Sequence, residues 1–321
     1  MGELQVIVTD DRYGSYEIEK NILKEIGAEI TVYKMLGQDE AAEVLRNADA
    51  VLMNCFQMTA ETIEAMEKCR IISRFGVGVD NVAIDAATSK GIWVANVPDY
   101  AMEDVSDHAL ALLLSCIRRI TFRDSGIRSG QWDMRDKRPA YRIRGSVLGI
   151  VGCGRIGGAF LRKASSLGFS KILIYDPLLE DVALHNMGGT PVSFDELIES
   201  ADFISVHAPL NEETKYLFNR TVFKRMKKNA IIVNTARGPL INEVDIAAAL
   251  EQGDIAYAGL DVFEQEPLPQ ESPLLQLDNV ILSDHAGWYS EESVEELKSK
   301  AAKNILETFK TGKPVYPVNQ V

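Results

Sequence analysis

A chain of 321 residues with 46% apolar and 25% charged side chains has enough hydrophobic material for a sizeable core and exceeds the usual length of one domain. Its formal net charge of −13 argues against a nucleic-acid partner held on a general basic surface. The longest strongly apolar stretch, from Ala109 to Ile117, is about half of what a bilayer requires, no basic leader precedes the strand-like VIV at 6–8, and the four cysteines lack zinc-site or disulfide spacing, so a cytoplasmic protein with reduced thiols, no membrane contact and no metal is expected.

Read in chain order, QVIVTD, EITVYKM, DAVLMNC, CRIISRFG and GIWVANV have the β-branched character of strands, with helix-like stretches over 16–26, 41–47 and 59–68 between them. EDVSDHALALLLSCIRRI follows, with acidic residues in its first turn and Arg118 and Arg119 in its last, as the helix dipole favours; it is expected to cross from a first domain to a second. The basic stretch after it, Arg123, Arg128, Arg135, Lys137, Arg138, Arg142 and Arg144, reads as a connecting arm or a subunit contact. A second series then runs through SVLGIVGCG, KILIYDP, ADFISVHAP, NAIIVNTA, IAYAGLDVF and NVILSDH, with helices between. A strong helix former from 291 ends at Gly312 and is placed to return to the first domain. Alternating strands and helices imply parallel sheets covered on both faces, and two such series predict an α/β protein of two doubly wound domains.

In SVLGIVGCGRIGGAF, Gly152, Gly154 and Gly157 form GxGxxG between a strand and a helix. The first glycine permits the tight turn, the second lets backbone approach a pyrophosphate, and the third lets the helix close on the strand. The next strand ends in Asp176, about twenty residues on, where a carboxylate can hold the adenosine ribose hydroxyls. Asp176 repels a 2′-phosphate, and Pro177, Leu178 and Leu179 offer no compensating cation, so NAD is expected over NADP.

Three further strand ends carry Arg237, then Asp261 with Glu266, then His285. Ligands of open α/β sheets gather at such ends. Arginine can pair with a substrate carboxylate and polarise the neighbouring carbonyl, histidine can supply a proton, and glutamate can hold the imidazole. Taken singly, each has an ordinary structural explanation; their order and placement make them a candidate catalytic trio.

Over essentially its whole length the chain resembles the D-isomer-specific 2-hydroxyacid dehydrogenase family, through RFGVGVDNVAIDAATSKGIWVANVPDY, LGIVGCGRIG, HAPLNEET, NTARGPLINEVDIAAAL, GLDVFEQEPLP and DHAGWYSEES. WYSEES, RIRG and EDVSDHALALLL are most similar to the C-terminal-binding-protein branch and its bacterial dehydrogenase relatives. The resemblance implies a flavodoxin-like substrate domain from residues 1–99 and 289–321, a Rossmann cofactor domain from 100–288, and a homodimer. It carries over Arg237, Glu266 and His285 as catalytic residues and Asp261 as a nicotinamide-side ligand. The glycine-loop residues Gly152, Gly154, Arg155, Ile156 and Gly157 with Asp176, the segment His207-Ala208-Pro209, Thr214, Thr235, Ala236 and Val105 are implied to line NAD, His207 through backbone and not as an acid or base. The backbone of Gly76-Val77-Gly78 is implied to grip the substrate carboxylate.

Asn54 and Trp288, and after them Phe56 and Met58, are candidates to touch the group on the 2-carbon, each with packing as its alternative; glyoxylate, hydroxypyruvate and 3-phosphohydroxypyruvate are all compatible substrates. His108 and His185 read as structural. Many relatives carry Thr-Pro-His where this chain has Ser283-Asp284-His285. Asp284 is expected to alter the pH profile or the loop's rigidity without removing activity, which Asp284→Pro would test. The alternative to an enzyme is an NAD-sensing corepressor-like binding protein.

Overall fold

The β-branched runs of the first hundred residues form β1 (Leu4–Val8), β2 (Ala28–Val32), β3 (Ala50–Met53), β4 (Ile71–Arg74) and β5 (Trp93–Ala95) in the computed structural model, which describes residues 4–132 and 139–321. All pairings in this sheet are parallel and the order is β2-β1-β3-β4-β5. Helices α1 (Glu17–Leu23), α2 (Gln38–Val44), α3 (Ala60–Ala65) and α4 (Ile84–Ser89) connect the strands. Every residue of β3 is buried, which is why its sequence is a continuous apolar run without alternation. The last helix, α12 (Glu291–Thr311), belongs to this unit: Ser73 on β4 donates its hydroxyl to the Ala301 carbonyl at 3.0 Å. It starts at Ser290, whose side chain accepts from Ser293 N, and stops at Gly312, whose φ of 89° supplies the left-handed cap. The tail after it lines β5, with Val94 N donating to Asn319 Oδ1 at 2.7 Å.

A seven-stranded parallel sheet forms the second unit, from β6 (Val147–Val151), β7 (Lys171–Tyr175), β8 (Thr190–Pro191), β9 (Phe203–Val206), β10 (Ile231–Asn234), β11 (Tyr257–Leu260) and β12 (Val280–Leu282). Its order, β12-β11-β10-β9-β6-β7-β8, reverses direction between β6 and β9, the doubly wound pattern of a Rossmann fold. β8 escapes the sequence reading because it is two residues long and ends in proline, which is tolerated at a sheet edge. The helices are α5 (Met102–Arg118), α6 (Ile120–Arg128), α7 (Arg155–Ala164), α8 (Asp181–Asn186), α9 (Phe194–Ser200), α10 (Arg220–Arg225) and α11 (Glu243–Gln252). The compact units are the chain up to Tyr100 with Ser290–Val321, and Ala101–Tyr289.

The helix expected over 103–120 differs in two ways. It lies wholly in the second unit, packed on α7, β10 and β11, and it breaks at Arg119, whose φ is 56°. Arg119 is buried, with its guanidinium 4.3 Å from the Phe122 ring centre and 5.4 Å from that of Tyr257, so aromatic contact holds the break. Of the basic arm, Arg135, Lys137 and Arg138 lie outside the described residues; Arg128 bonds Asp124 at 2.7 Å. Cys69, Cys116 and Cys153 are buried and Cys55 is exposed, all as free thiols. Among the described residues no helix is long and apolar enough to cross a membrane, and no cluster of three metal-ligating side chains occurs.

Candidate active site

Each glycine of the GxGxxG loop has its own steric reason. Gly152 has φ 85°, and a Cβ there would stand 2.6 Å from Ala208 N, so this turn closes directly on the end of β9. A Cβ at Gly157 would stand 2.1 Å from the Gly152 carbonyl oxygen, whereas one at Gly154 would meet nothing within 4 Å. The outer glycines therefore close the loop and the middle one leaves open surface at the start of α7, where Arg155 and Ile156 occupy the first turn. Asp176 faces the same loop: Cys153 N donates to its Oδ2 at 2.7 Å and Leu178 N to its Oδ1 at 2.9 Å. Each oxygen keeps acceptor capacity for a further donor.

Beyond β9, the His207 ring lies on Phe160 with Nε2 2.9 Å from Ser205 Oγ. Although the residue is partly exposed as a whole, its Nδ1 is buried without a partner among the described residues. Burial pushes its pKa down to about 3, so the ring stays neutral through the physiological range and is no proton donor there. A base with a depressed folded pKa adds stability above its unfolded value, near 6.5, that is lost as pH falls towards the folded value. Between pH 7 and 5 the parent should lose about 2 kcal/mol of unfolding free energy that His207→Gln does not lose. Urea melts of both proteins at the two pH values measure this, and parallel losses would refute it. Thr214 donates its hydroxyl to the Pro209 carbonyl at 2.6 Å, fixing the His207-Ala208-Pro209 exit. Val105 is buried on α5.

At the end of β10, Asn234 clamps the next turn: its Oδ1 accepts from Ala236 N at 3.0 Å and its Nδ2 donates to the Arg237 carbonyl at 2.9 Å. The sequence reading passed over Asn234, because nothing in its immediate pattern separates a strand-end clamp from an ordinary polar residue. Thr235 Oγ1 is buried and has no partner among the described residues, a polar atom left for a ligand. The open surface at Gly154, the carboxylate at Asp176 and this hydroxyl fit a nicotinamide dinucleotide laid across the strand ends. A Cβ at Gly238 would stand 1.9 Å from the Phe263 carbonyl oxygen, so the Arg237 turn lies flush on the segment that carries Glu266. Glu243 N donates to Glu264 Oε1 at 2.7 Å, and Glu264 N returns a bond to Glu243 Oε1, joining the two segments.

Glu266 accepts from Phe263 N at 3.0 Å through Oε1, and its Oε2 lies 2.7 Å from His285 Nδ1. Burial alone would raise its carboxyl, but the bond and charge of His285, the Phe263 amide and the Arg237 charge outweigh it and hold the pKa below the usual carboxylate value. An ionised carboxylate only accepts, so Nδ1 of His285 carries the proton and Nε2 is the nitrogen left for chemistry.

The loop bearing His285 is anchored on Asp261, which is almost fully buried. Oδ1 accepts from Ser283 Oγ at 2.6 Å and Ala286 N at 2.9 Å, Oδ2 accepts from Gly287 N at 2.9 Å, and the Asp261 carbonyl accepts from His285 N at 2.8 Å. Burial again pushes the carboxyl up, and bonds from His108, Ser283 and Gly287 bring it below its ordinary value. His285 itself has φ 56°, uncommon for a residue with a side chain. Asp284 beside it is exposed, and Trp288 sits edge-on to Tyr289 with ring centres 5.8 Å apart. His185 is exposed on α8.

In the first unit, Asn54 and Gly76-Val77-Gly78 follow the ends of β3 and β4. Gly76 has φ 143°, and a Cβ there would stand 1.7 Å from Arg74 Nη1. Asp10 caps the turn after β3, accepting from Asn54 N at 3.0 Å and Cys55 N at 2.7 Å, while Asn54 Nδ2 donates to Tyr13 Oη at 3.0 Å. Tyr13 packs edge-on against Phe75 at 5.2 Å between ring centres. Asp10 and Tyr13 were not foreseen; the signal would have been strand order, since the switch point of this sheet lies between β1 and β3. Phe56 and Met58 take the packing alternative: both are buried in the core of this unit, so neither offers a side chain to a ligand.

A family model described as "D-isomer specific 2-hydroxyacid dehydrogenase, NAD binding domain" matches residues 110–287. The chain is 41% identical over 265 residues to a glyoxylate reductase of Korarchaeum cryptofilum, covering 81% of this chain and 79% of that one. It is 38% identical over 309 residues to a D-3-phosphoglycerate dehydrogenase of Methanocaldococcus jannaschii, covering 96% of this chain but 58% of that relative, so it spans little more than half of that protein. In structure it superposes on an NADPH-dependent glyoxylate/hydroxypyruvate reductase of Sinorhizobium meliloti, bound to NADP and malonate, with a TM-score of 0.85 at 26% identity, covering 99% of this chain and 97% of that one. These matches give no support to a corepressor-like binding protein. The chain belongs to the D-isomer specific 2-hydroxyacid dehydrogenase family and is a nicotinamide-dependent oxidoreductase that interconverts 2-keto and 2-hydroxy acids.

Proposed function

We propose that the protein reduces a small 2-keto acid to the D-2-hydroxy acid with NADH, with His285 as proton donor, Glu266 as its orienting partner and Arg237 as the cation that binds and polarises the substrate. The contact of 2.7 Å from His285 Nδ1 to Glu266 Oε2 carries this reading. When bound, the cofactor supplies the hydride to the carbonyl carbon. Nε2 of the charged imidazole gives its proton to the carbonyl oxygen, and in the reverse direction neutral Nε2 takes the hydroxyl proton. Glu266 holds the ring in the orientation that leaves Nε2 to the substrate and faces the charge the imidazole carries before transfer. The Arg237 guanidinium pairs with the substrate carboxylate and draws charge from the adjacent carbonyl.

The chain up to residue 100 and from 290 serves as the substrate domain: the Gly76-Val77-Gly78 backbone grips the carboxylate, and Asn54 faces the group on the 2-carbon. Trp288, beside His285 in the remainder of the chain, is the second candidate for that group. The remainder holds the cofactor, with Asp261 on the nicotinamide side. Initial rates of NADH consumption across glyoxylate, hydroxypyruvate, 3-phosphohydroxypyruvate, pyruvate and branched 2-keto acids test the assignment. Turnover of at least one is expected; tight NADH binding with no turnover of any would defeat it.

NAD is the preferred dinucleotide, because the Asp176 carboxylate repels a 2′-phosphate. NADH should bind at least about ten-fold more tightly than NADPH, the scale of one unfavourable charge contact, and Asp176→Ala should close the gap mainly by improving NADPH. Equal affinities of the parent for both would reject the preference. The working form is a homodimer. Ile120, Ile127 and Trp132, exposed in and just after α6, supply apolar surface for that contact, and a solution mass of one chain would exclude it.

A further inference from the structure

Helix α5 brings a second histidine to the loop that carries the first. His108 Nε2 lies 2.9 Å from Ser283 Oγ and 3.2 Å from Asp261 Oδ1, with its side chain 27% exposed. Donor counting settles the direction of these contacts. The one hydroxyl proton of Ser283 is committed to Asp261 Oδ1 at 2.6 Å. Asp261, held ionised by its surroundings, donates nothing. Nε2 of His108 therefore faces two acceptors and must carry a proton.

The loop it meets needs such support. A left-handed backbone at a residue with a side chain persists when its surroundings over-determine it. Ser283, His285, Ala286 and Gly287 all bond to Asp261, and among the described residues His108 is the one donor to its carboxylate from outside the loop. A Cβ at Gly287 would stand 2.8 Å from Asp261 Oδ2 and 3.4 Å from His108 Cδ2, so the loop backbone closes on both side chains.

We propose that His108 is a positioning residue for the proton donor: its Nε2–H, shared between Ser283 and Asp261, ties the 283–287 loop to α5 and fixes the direction in which His285 presents Nε2. This rests on the role given to His285 above. His108→Leu removes the donor, whereas His108→Gln keeps an N–H at similar reach. The leucine variant should lose about ten-fold in kcat, the scale of one charge-assisted bond, with NADH affinity and keto-acid KM within about two-fold of the parent. The glutamine variant should recover most of the loss. Parental kcat in His108→Leu, or equal losses in both variants, would overturn the proposal.

Imidazole nitrogen NMR gives a readout free of turnover. The chain has four histidines, so each ring can be assigned by single replacement. His108 should show a protonated Nε2, and His108→Leu should shift the His285 ring signals; an unprotonated Nε2 on His108 refutes the donor assignment outright. If the parent turned over no keto acid, the reading of the reaction would fail, while the ring-proton measurement would still decide the role of His108.

Discussion

His285→Ala should lower kcat/KM for the preferred keto acid by roughly 100- to 10,000-fold, the usual contribution of a positioned general acid. The loss should fall on kcat, because Nε2 acts on the proton in flight and not on the ground-state carboxylate. NADH affinity should stay within about two-fold, since the residues proposed to cradle the dinucleotide follow β6, β7, β9, β10 and β11 and none lies in the 283–287 loop. Glu266→Gln is the companion variant. It retains the size of the side chain but not its charge, so ring orientation survives in part while the charged imidazole loses its partner. An alanine variant retaining a third or more of parental kcat/KM would remove His285 from the mechanism and leave the proton to come from solvent.

Arg237 should show a different kinetic signature. Arg237→Ala should raise the keto-acid KM and lower kcat together, with a combined loss of roughly 100- to 1,000-fold, because the guanidinium binds the carboxylate in the ground state and draws more strongly on the carbonyl oxygen as charge develops. Arg237→Lys keeps the charge but loses the planar fork, so it should recover binding better than rate. A secondary effect arises at Glu266, whose carboxyl is held low partly by the Arg237 charge. A carboxyl with a depressed folded pKa is ionised above its ordinary value and loses its pairing as pH falls through the folded pKa. Without Arg237 that loss should begin at a higher pH. Steady-state kinetics with the parent's preferred substrate, repeated on the acid side, measure both effects; unchanged KM and kcat in Arg237→Ala would take the arginine out of the site.

The features legible in the chain are those whose physical cause is local. Strand and helix alternation expresses hydrophobic periodicity over a few residues, and Gly152, Gly154 and Gly157 with Asp176 fall within one strand–helix–strand unit, so each can be read without knowing where the rest of the chain goes. Arg237, Glu266 and His285 were legible for a related reason: parallel strands deliver their ends to one edge of a sheet, and His285 and Glu266 do meet there.

Other features depended on packing between distant segments. Asp10 and Asn54 are 44 positions apart and bond because β1 lies beside β3; His108 and Ser283 are 175 apart and meet because α5 covers that edge of the second sheet. The local pattern left Phe56 and Met58 between ligand contact and packing, and the fold turned both into the core; the helix over 103–120 looked continuous until Arg119 found Phe122 and Tyr257. The amino-acid sequence by itself determined the α/β architecture, the dinucleotide loop and the candidates for the reacting side chains, because periodicity, glycine geometry and side-chain chemistry are properties of residues and their near neighbours. The tertiary structure alone decided which groups hold those side chains in place, because a hydrogen bond forms wherever packing brings donor and acceptor within about 3 Å, whatever their separation along the chain.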